Sequence, residues 1–93
     1  MGRRSLAEKF FEDAEENNEE EVTWLVLYDF KGIKPNSKFW TNLDRVKRLV
    51  GGGTLIQYSV FMTTSKRGAI TALKLARHYG ADTILYRAEL IEI

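Results

Sequence analysis

The run Trp-Leu-Val-Leu-Tyr at positions 24–28 places five apolar or β-favouring residues in succession, and it ends on Asp29 and a Lys-Gly turn signal. A short continuous apolar run between polar residues is typical of a strand that is buried on both faces. Such a strand needs a cover on each side, and a chain of 93 residues has only enough helix to cover one side comfortably. The sequence therefore predicts a central strand in a sheet whose second face is covered by another copy of the chain.

The segments after this strand alternate between helical and β-type patterns. Helices are predicted after Asn36 or Ser37 and again over residues 66–79, because each pattern begins with a capping residue and is followed by glycine. The β-rich stretch 54–64 between them is too long for one ordinary strand, so a bend near 57–59 is expected to divide it.

The end of the chain, 82–93, is also β-type and contains an apolar tail. The whole order predicts an α+β fold, a ferredoxin-like βαββαβ sandwich with one antiparallel sheet, two helices on one face and an extra C-terminal strand. An apolar terminal strand is an aggregation hazard unless another strand pairs with it. We therefore expect a homodimer, with an interface that includes Trp24, Leu90, Ile91 and Ile93.

The formal net charge of +1 conceals a division between two parts of the chain. Residues 1–21 contain three basic and eight acidic residues, whereas residues 22–93 contain eleven basic and five acidic residues. We expect an acidic N-terminal extension, partly helical or disordered, followed by the ferredoxin-like domain. Ser5 and Glu8 form a capping box that predicts a helix from about residue 6 to residue 16. The acidic run that follows is either a self-repelling linker or an intramolecular mimic of nucleic-acid phosphates.

The composition excludes several classes of site. The chain has no cysteine and one histidine, which removes disulfides, thiolate catalysis and the common zinc sites. The apolar runs are far shorter than the ~20 residues of a membrane helix, and the first residues are not signal-like. We expect a cytoplasmic protein without a membrane partner.

Five basic residues are candidate contacts for nucleic acid. They are Lys31, Lys34, Lys38, Lys66 and Arg67. The first three follow Asp29 directly, and the last two begin a predicted helix, whose N-terminus attracts anions. We expect them to line one groove and to bind RNA or DNA through its backbone without reading its sequence. The alternative for each is an ordinary solvated lysine or arginine.

Two motifs resemble the small CRISPR-associated Cas-two family. The first strand ends in Leu-Tyr-Asp at 27–29, and Gln-Tyr-Ser-Val-Phe at 57–61 leads into the second predicted helix. The resemblance covers roughly residues 22–93 and implies a ferredoxin-like homodimer. It also implies that the strand-end aspartates of the two copies, here Asp29, face each other and bind Mg2+. The acidic extension lies outside the family pattern, and Met62 stands where an acidic residue is common.

The resemblance implies two functions. One is metal-dependent endonuclease activity, with Asp29 as the catalytic and metal-binding residue, and the other is a structural partnership with the CRISPR integrase in spacer acquisition. A metal of this kind polarises a phosphate oxygen and generates hydroxide for phosphodiester hydrolysis. The alternative is a non-catalytic dimeric module that binds nucleic acid or a protein partner. Read from the residues alone, Asp29 at a strand end close to the Lys-Gly pair at 31–32 is also an ordinary turn former.

Overall fold

The computed structural model of the chain describes residues 4–14, 22–57, 59–89 and 91. These residues form an α+β fold in which a four-stranded antiparallel sheet is combined with three helices. The α+β class and the antiparallel sheet are as the sequence predicts. The arrangement is compatible with a small ferredoxin-like fold.

The sheet consists of β1 at Thr23–Asp29, β2 at Thr54–Gln57, β3 at Val60–Thr63 and β4 at Asp82–Ala88. Its strand order is β2-β3-β1-β4, and every neighbouring pair is antiparallel. The apolar run thus forms a central strand, as predicted, and the stretch 54–64 is divided into two strands that pair with each other. The edge strand β2 has an irregular register between Leu55 and Gln57, which is the signature of a β-bulge.

The described residues form three helices: α1 at Leu6–Asp13, α2 at Ser37–Leu49 and α3 at Lys66–His78. Each begins after a residue whose side-chain oxygen accepts a backbone N–H of the first turn, namely Ser5, Asn36 and Ser65. These caps satisfy amides that have no partner inside the helix. For this reason the sequence predicted all three helix starts to within one residue.

The central strand divides its side chains between the two faces of the sheet. Trp24, Val26 and Tyr28 are buried in the core beneath the helices. Leu25 and Leu27 alternate with them, so they point to the opposite face, where they are only partly buried. The prediction of a strand that is apolar on both faces is therefore confirmed, and in a single chain the helices cover one of those faces.

The N-terminal helix α1 packs against α2 and α3. Ala7 is fully buried there, and Leu6 and Phe10 pack against the core. The described part of the acidic extension is therefore a docked helix that ends at Asp13, three residues earlier than predicted. The acidic run at 15–21 lies outside the described residues.

Strand β4 is the last regular element among the described residues. Strand β4 stops at Ala88, and Ile91 is 73% exposed. Leu90 and Ile93, with half of the predicted extra strand at 88–93, lie outside the described residues. Among the helices that the structure describes, none combines the length and the apolar character needed to cross a membrane.

We predict that Gly53→Ala destabilises the fold by about 3 kcal/mol, through backbone strain and overpacking together. Its φ is +133°, and an added Cβ would lie 2.7 Å from Cζ of the fully buried Phe61. Gly51→Ala is the matched control, because its φ is also positive but an added Cβ would meet open space. Urea denaturation should show a loss of only about 1 kcal/mol for the control. Equal losses would mean that contact with Phe61 contributes nothing.

Candidate functional site

One face of the sheet carries none of the described helices; it is apolar, and we call it the open face. It consists of Leu25, Leu27, Val60, Met62, Ile84 and Tyr86, which the strand registers place opposite one another. Ile84 and Tyr86 are 52% and 48% exposed. No lysine or arginine in the described strands points to this side by alternation. The open face is therefore suited to an apolar partner and offers no cation to a phosphate.

Two carboxylates lie at one end of the open face. Asp29 and Asp82 are directly opposite each other in the register of β1 and β4, so their side chains share a face. Asp29 Oδ1 accepts the backbone N–H of Lys31 at 2.8 Å. Lys31 Nζ also lies 2.9 Å from Asp82 Oδ2. One lysine thus bridges the turn that follows Asp29 and the start of the neighbouring strand.

This ion pair determines the electrostatics of the carboxylate end. The carboxylate of Asp82 raises the pKa of the Lys31 ammonium, mainly through their hydrogen bond, and the charge of Asp29 adds a smaller effect in the same direction. Lys31 therefore remains charged and balances one of the two acids. The two side chains are 63% and 68% exposed, so solvent screens the pair and leaves it weak.

A shallow cavity of about 440 Å³ joins the two carboxylates to the open face. Its lining consists of Leu27, Tyr28, Asp29, Ser59, Asp82 and Ile84. The cavity combines an aliphatic floor with an acidic rim. It is continuous with the open face, so a molecule that covers that face also reaches Asp29.

The carboxylate end provides few ligands for a metal ion. Among residues 4–14, 22–57, 59–89 and 91, no three histidine, cysteine, aspartate or glutamate side chains lie close enough to hold one. Asp29 and Asp82 are the two carboxylates on the face, and Lys31 already pairs with the second. Mg2+ is commonly held by one or two carboxylates with water completing its shell. The residues therefore fit Mg2+ best if Asp29 of a second copy joins the site.

The five predicted nucleic-acid contacts are divided between opposite ends of β1. Lys31, Lys34 and Lys38 follow the Asp29 end, whereas Lys66 and Arg67 follow β3, whose end pairs with Trp24. These ends are about 17 Å apart along the strand. The structure therefore does not bring the two sets into one groove within a single copy. The antiparallel pairing of β1 and β3 is the cause.

Trp24 lies on the helix side of the sheet rather than on the open face. It is 9% exposed, and Lys66 Nζ lies 5.6 Å from the centre of its ring, a cation–π contact. The partly buried Leu25 and Leu27 of the same strand occupy the exposed side instead. Of the predicted tail residues in the interface, Ile91 is exposed, and Leu90 and Ile93 are outside the described residues.

Sequence reasoning missed most of the open face. Val60, Met62, Ile84 and Tyr86 join it only through the register of three strands. Asp82 was missed for the same reason, since nothing in the local sequence places it opposite Asp29. Alternation within 82–88 was the available signal, because apolar side chains recur there at every second position.

Tyr28 anchors the strand end from the core side. Its ring makes edge contacts with Phe30, Phe39 and Trp40, with centroids 5.9, 5.2 and 6.5 Å away. Its hydroxyl is buried and has no hydrogen-bond partner among the described residues. Burial raises the pKa of Tyr28 to about 12. The aromatic cluster thus holds the residue next to Asp29 at the cost of an unsatisfied hydroxyl.

No family model, curated protein or solved structure matches this chain.

We predict that Tyr28→Phe stabilises the protein by about 1 kcal/mol at pH 7, because it removes a buried hydroxyl that lacks a partner. The wild type should also lose stability between pH 10 and pH 12. Over that range the unfolded tyrosine ionises before the folded one does, which amounts to roughly 2 kcal/mol. Urea denaturation at pH 7, 10 and 11.5 measures both effects.

Tyr86→Phe is the matched control for this substitution, since it removes the hydroxyl of a half-exposed tyrosine on the open face. We expect little change in stability at pH 7. A loss of stability in Tyr28→Phe at pH 7 would show that the hydroxyl has a favourable partner.

Proposed function

We propose that this chain is a Cas-two-like homodimeric module of ferredoxin-like βαββαβ fold that binds the backbone of nucleic acid. The observation that supports the homodimer best is the open face, which joins an apolar surface to the carboxylate of Asp29. Nucleic-acid binding is supported by the exposed Lys34 and Lys38 that follow this carboxylate in the chain. The element order from β1 to β4 is in accord with that fold. By resemblance, the proposal includes a role as a structural partner of the CRISPR integrase.

A second copy is the occupant that suits the open face. Its side chains are aliphatic apart from Tyr86, and their lack of a basic group disfavours nucleic acid at this position. A two-fold axis through the face would place the open face of one copy against the open face of the other, as in most homodimers. Four strands of up to seven residues give a face of roughly 19 by 23 Å. That is small for a specific interface, so we expect a micromolar dissociation constant.

The basic residues then lie around this dimer. Lys34 and Lys38 are exposed near the Asp29 end, and Lys66 and Arg67 stand at the other end of each copy. Contacts of this type bind phosphates and confer little sequence preference. Dimerisation doubles the number of basic clusters, and a nucleic acid that runs along the dimer can contact more than one of them.

We predict that Ile84→Glu on the open face dissociates the dimer, since it would bury a charge in an apolar interface. The dissociation constant should rise at least a hundredfold in sedimentation equilibrium. Leu49→Glu is the matched control, because Leu49 is an exposed apolar residue on α2. A wild type that remains monomeric at 100 μM would refute the dimer, as would equal effects of the two substitutions.

A second candidate function is metal-dependent phosphodiester hydrolysis. It is favoured by the placement of Asp29 at the edge of the open face, where a two-fold axis could bring the two copies of this residue together. The pair would hold Mg2+, and the ion would supply a polarised phosphate oxygen and an activated water. Asp29 would then bind the metal, and the nearby lysines would position the phosphate backbone.

We predict that any magnesium-dependent cleavage of RNA or DNA is abolished in Asp29→Asn, which keeps the shape of the side chain but removes its charge. Asp44→Asn is the matched control, since Asp44 is an exposed carboxylate on α2 that pairs with Arg48. Cleavage of labelled single- and double-stranded substrates is measured with magnesium and with chelator. Activity that persists in Asp29→Asn would exclude this site.

A further inference from the structure

The N-terminal helix α1 is held at its first turn by α2. The backbone N–H of Ala7 donates to Asn42 Oδ1 at 3.0 Å, and Asn42 Nδ2 donates to the carbonyl of Lys38 at 2.8 Å. First-turn amides have no acceptor within their own helix. Asn42 is 9% exposed and supplies that acceptor from a neighbouring helix.

The other end of α1 is held by α3. Arg67 Nε donates to the carbonyl of Phe11 at 2.6 Å, and the guanidinium carbon lies 3.9 Å from the centre of the Phe11 ring. A carbonyl in the last turn likewise lacks an intrahelical partner. Two side chains on different helices therefore hold α1 by the unpaired backbone groups at its two ends.

The acidic residues of α1 do not provide these contacts. Glu12 pairs with Arg4, and Glu8 accepts a hydrogen bond from Ser5, so both interact within the extension. Arg67 is instead bound by a neutral carbonyl and an aromatic ring. A guanidinium forms stronger, charge-assisted hydrogen bonds with a phosphate than with a neutral acceptor. The arginine is thus occupied by a partner that a phosphate can replace.

We propose that α1 is a latch that withholds Arg67 from nucleic-acid phosphates and releases it when the helix undocks. This inference rests on the proposed nucleic-acid binding. The helix has eight residues, which is too short for stability on its own, so its docking depends on the contacts with Asn42, Arg67 and the core. Loss of either backbone contact therefore shifts the latch toward the open state.

The expected effect follows from the single contact that release adds. The docked chain still binds through its other basic residues, so one further phosphate contact improves the affinity about three- to tenfold between 200 and 50 mM salt. The same contact steepens the dependence of log affinity on log salt by about 0.7 for a single strand. The salt slope depends on the number of phosphate contacts. It therefore distinguishes an added arginine contact from a general change in affinity.

The test measures fluorescence anisotropy of a labelled 20-nucleotide single-stranded DNA with the full chain, at several salt concentrations between 50 and 200 mM. Asn42→Ala removes the acceptor that α2 provides, and Ala7→Gln places a larger side chain at the buried position on α1. Both should undock α1, and neither changes the net charge. We expect both to tighten binding and to steepen the salt slope. The matched control is Thr41→Ala, since Thr41 is the exposed neighbour of Asn42 on α2.

Adding Arg67→Gln to either variant should remove the whole gain, and hydrogen exchange of the α1 amides verifies that the helix has undocked. Undocking without a change in affinity or slope would overturn the latch, as would a gain that survives Arg67→Gln. If no variant binds the probe at 50 mM salt, both the proposed nucleic-acid binding and the latch fail. Wild-type binding together with equal affinities in all variants refutes the latch alone.

Discussion

The fold depends on one strand that is apolar on both of its faces. Strand β1 lies between β3 and β4, so it forms ladders on both sides and contributes to the core and to the open face together. All three helices contribute to the layer on one side, with α1 packed against α2 and α3. The folded chain therefore has a complete core and an apolar surface on the reverse of the same sheet. Burial of that reverse surface is the main free energy available for association.

The helical layer shows how a short segment is held without a large interface. Helix α1 buries Ala7 completely, yet its placement also depends on Asn42 and Arg67, which bind backbone groups rather than side chains. Contacts to the backbone fix where the helix lies, but they place little constraint on which side chains the helix carries. Within the described part of the extension, the acidic side chains play no direct part in these contacts.

Local features of this fold could be read from the sequence, and relations between distant segments could not. Caps such as Ser5 and Ser65 fix helix starts because a side chain bonds to an amide two or three residues away. An unbroken apolar run does not reveal which residues face the helices, so Trp24 could not be assigned to a side. The pairing of Asp29 with Asp82 and the separation of Lys31 from Arg67 follow from strand register, which depends on the whole sheet.

The two edges of the sheet differ in a way that bears on aggregation. Strand β4 offers a regular edge of seven residues, whereas β2 has four residues and an irregular register between Leu55 and Gln57. Bulges and short edge strands oppose the addition of further strands. If two copies met along β4, only the short, irregular edges would be left outside. Growth of an extended ribbon would then stop after a single pairing, even though the described part of each chain leaves a sheet edge unpaired.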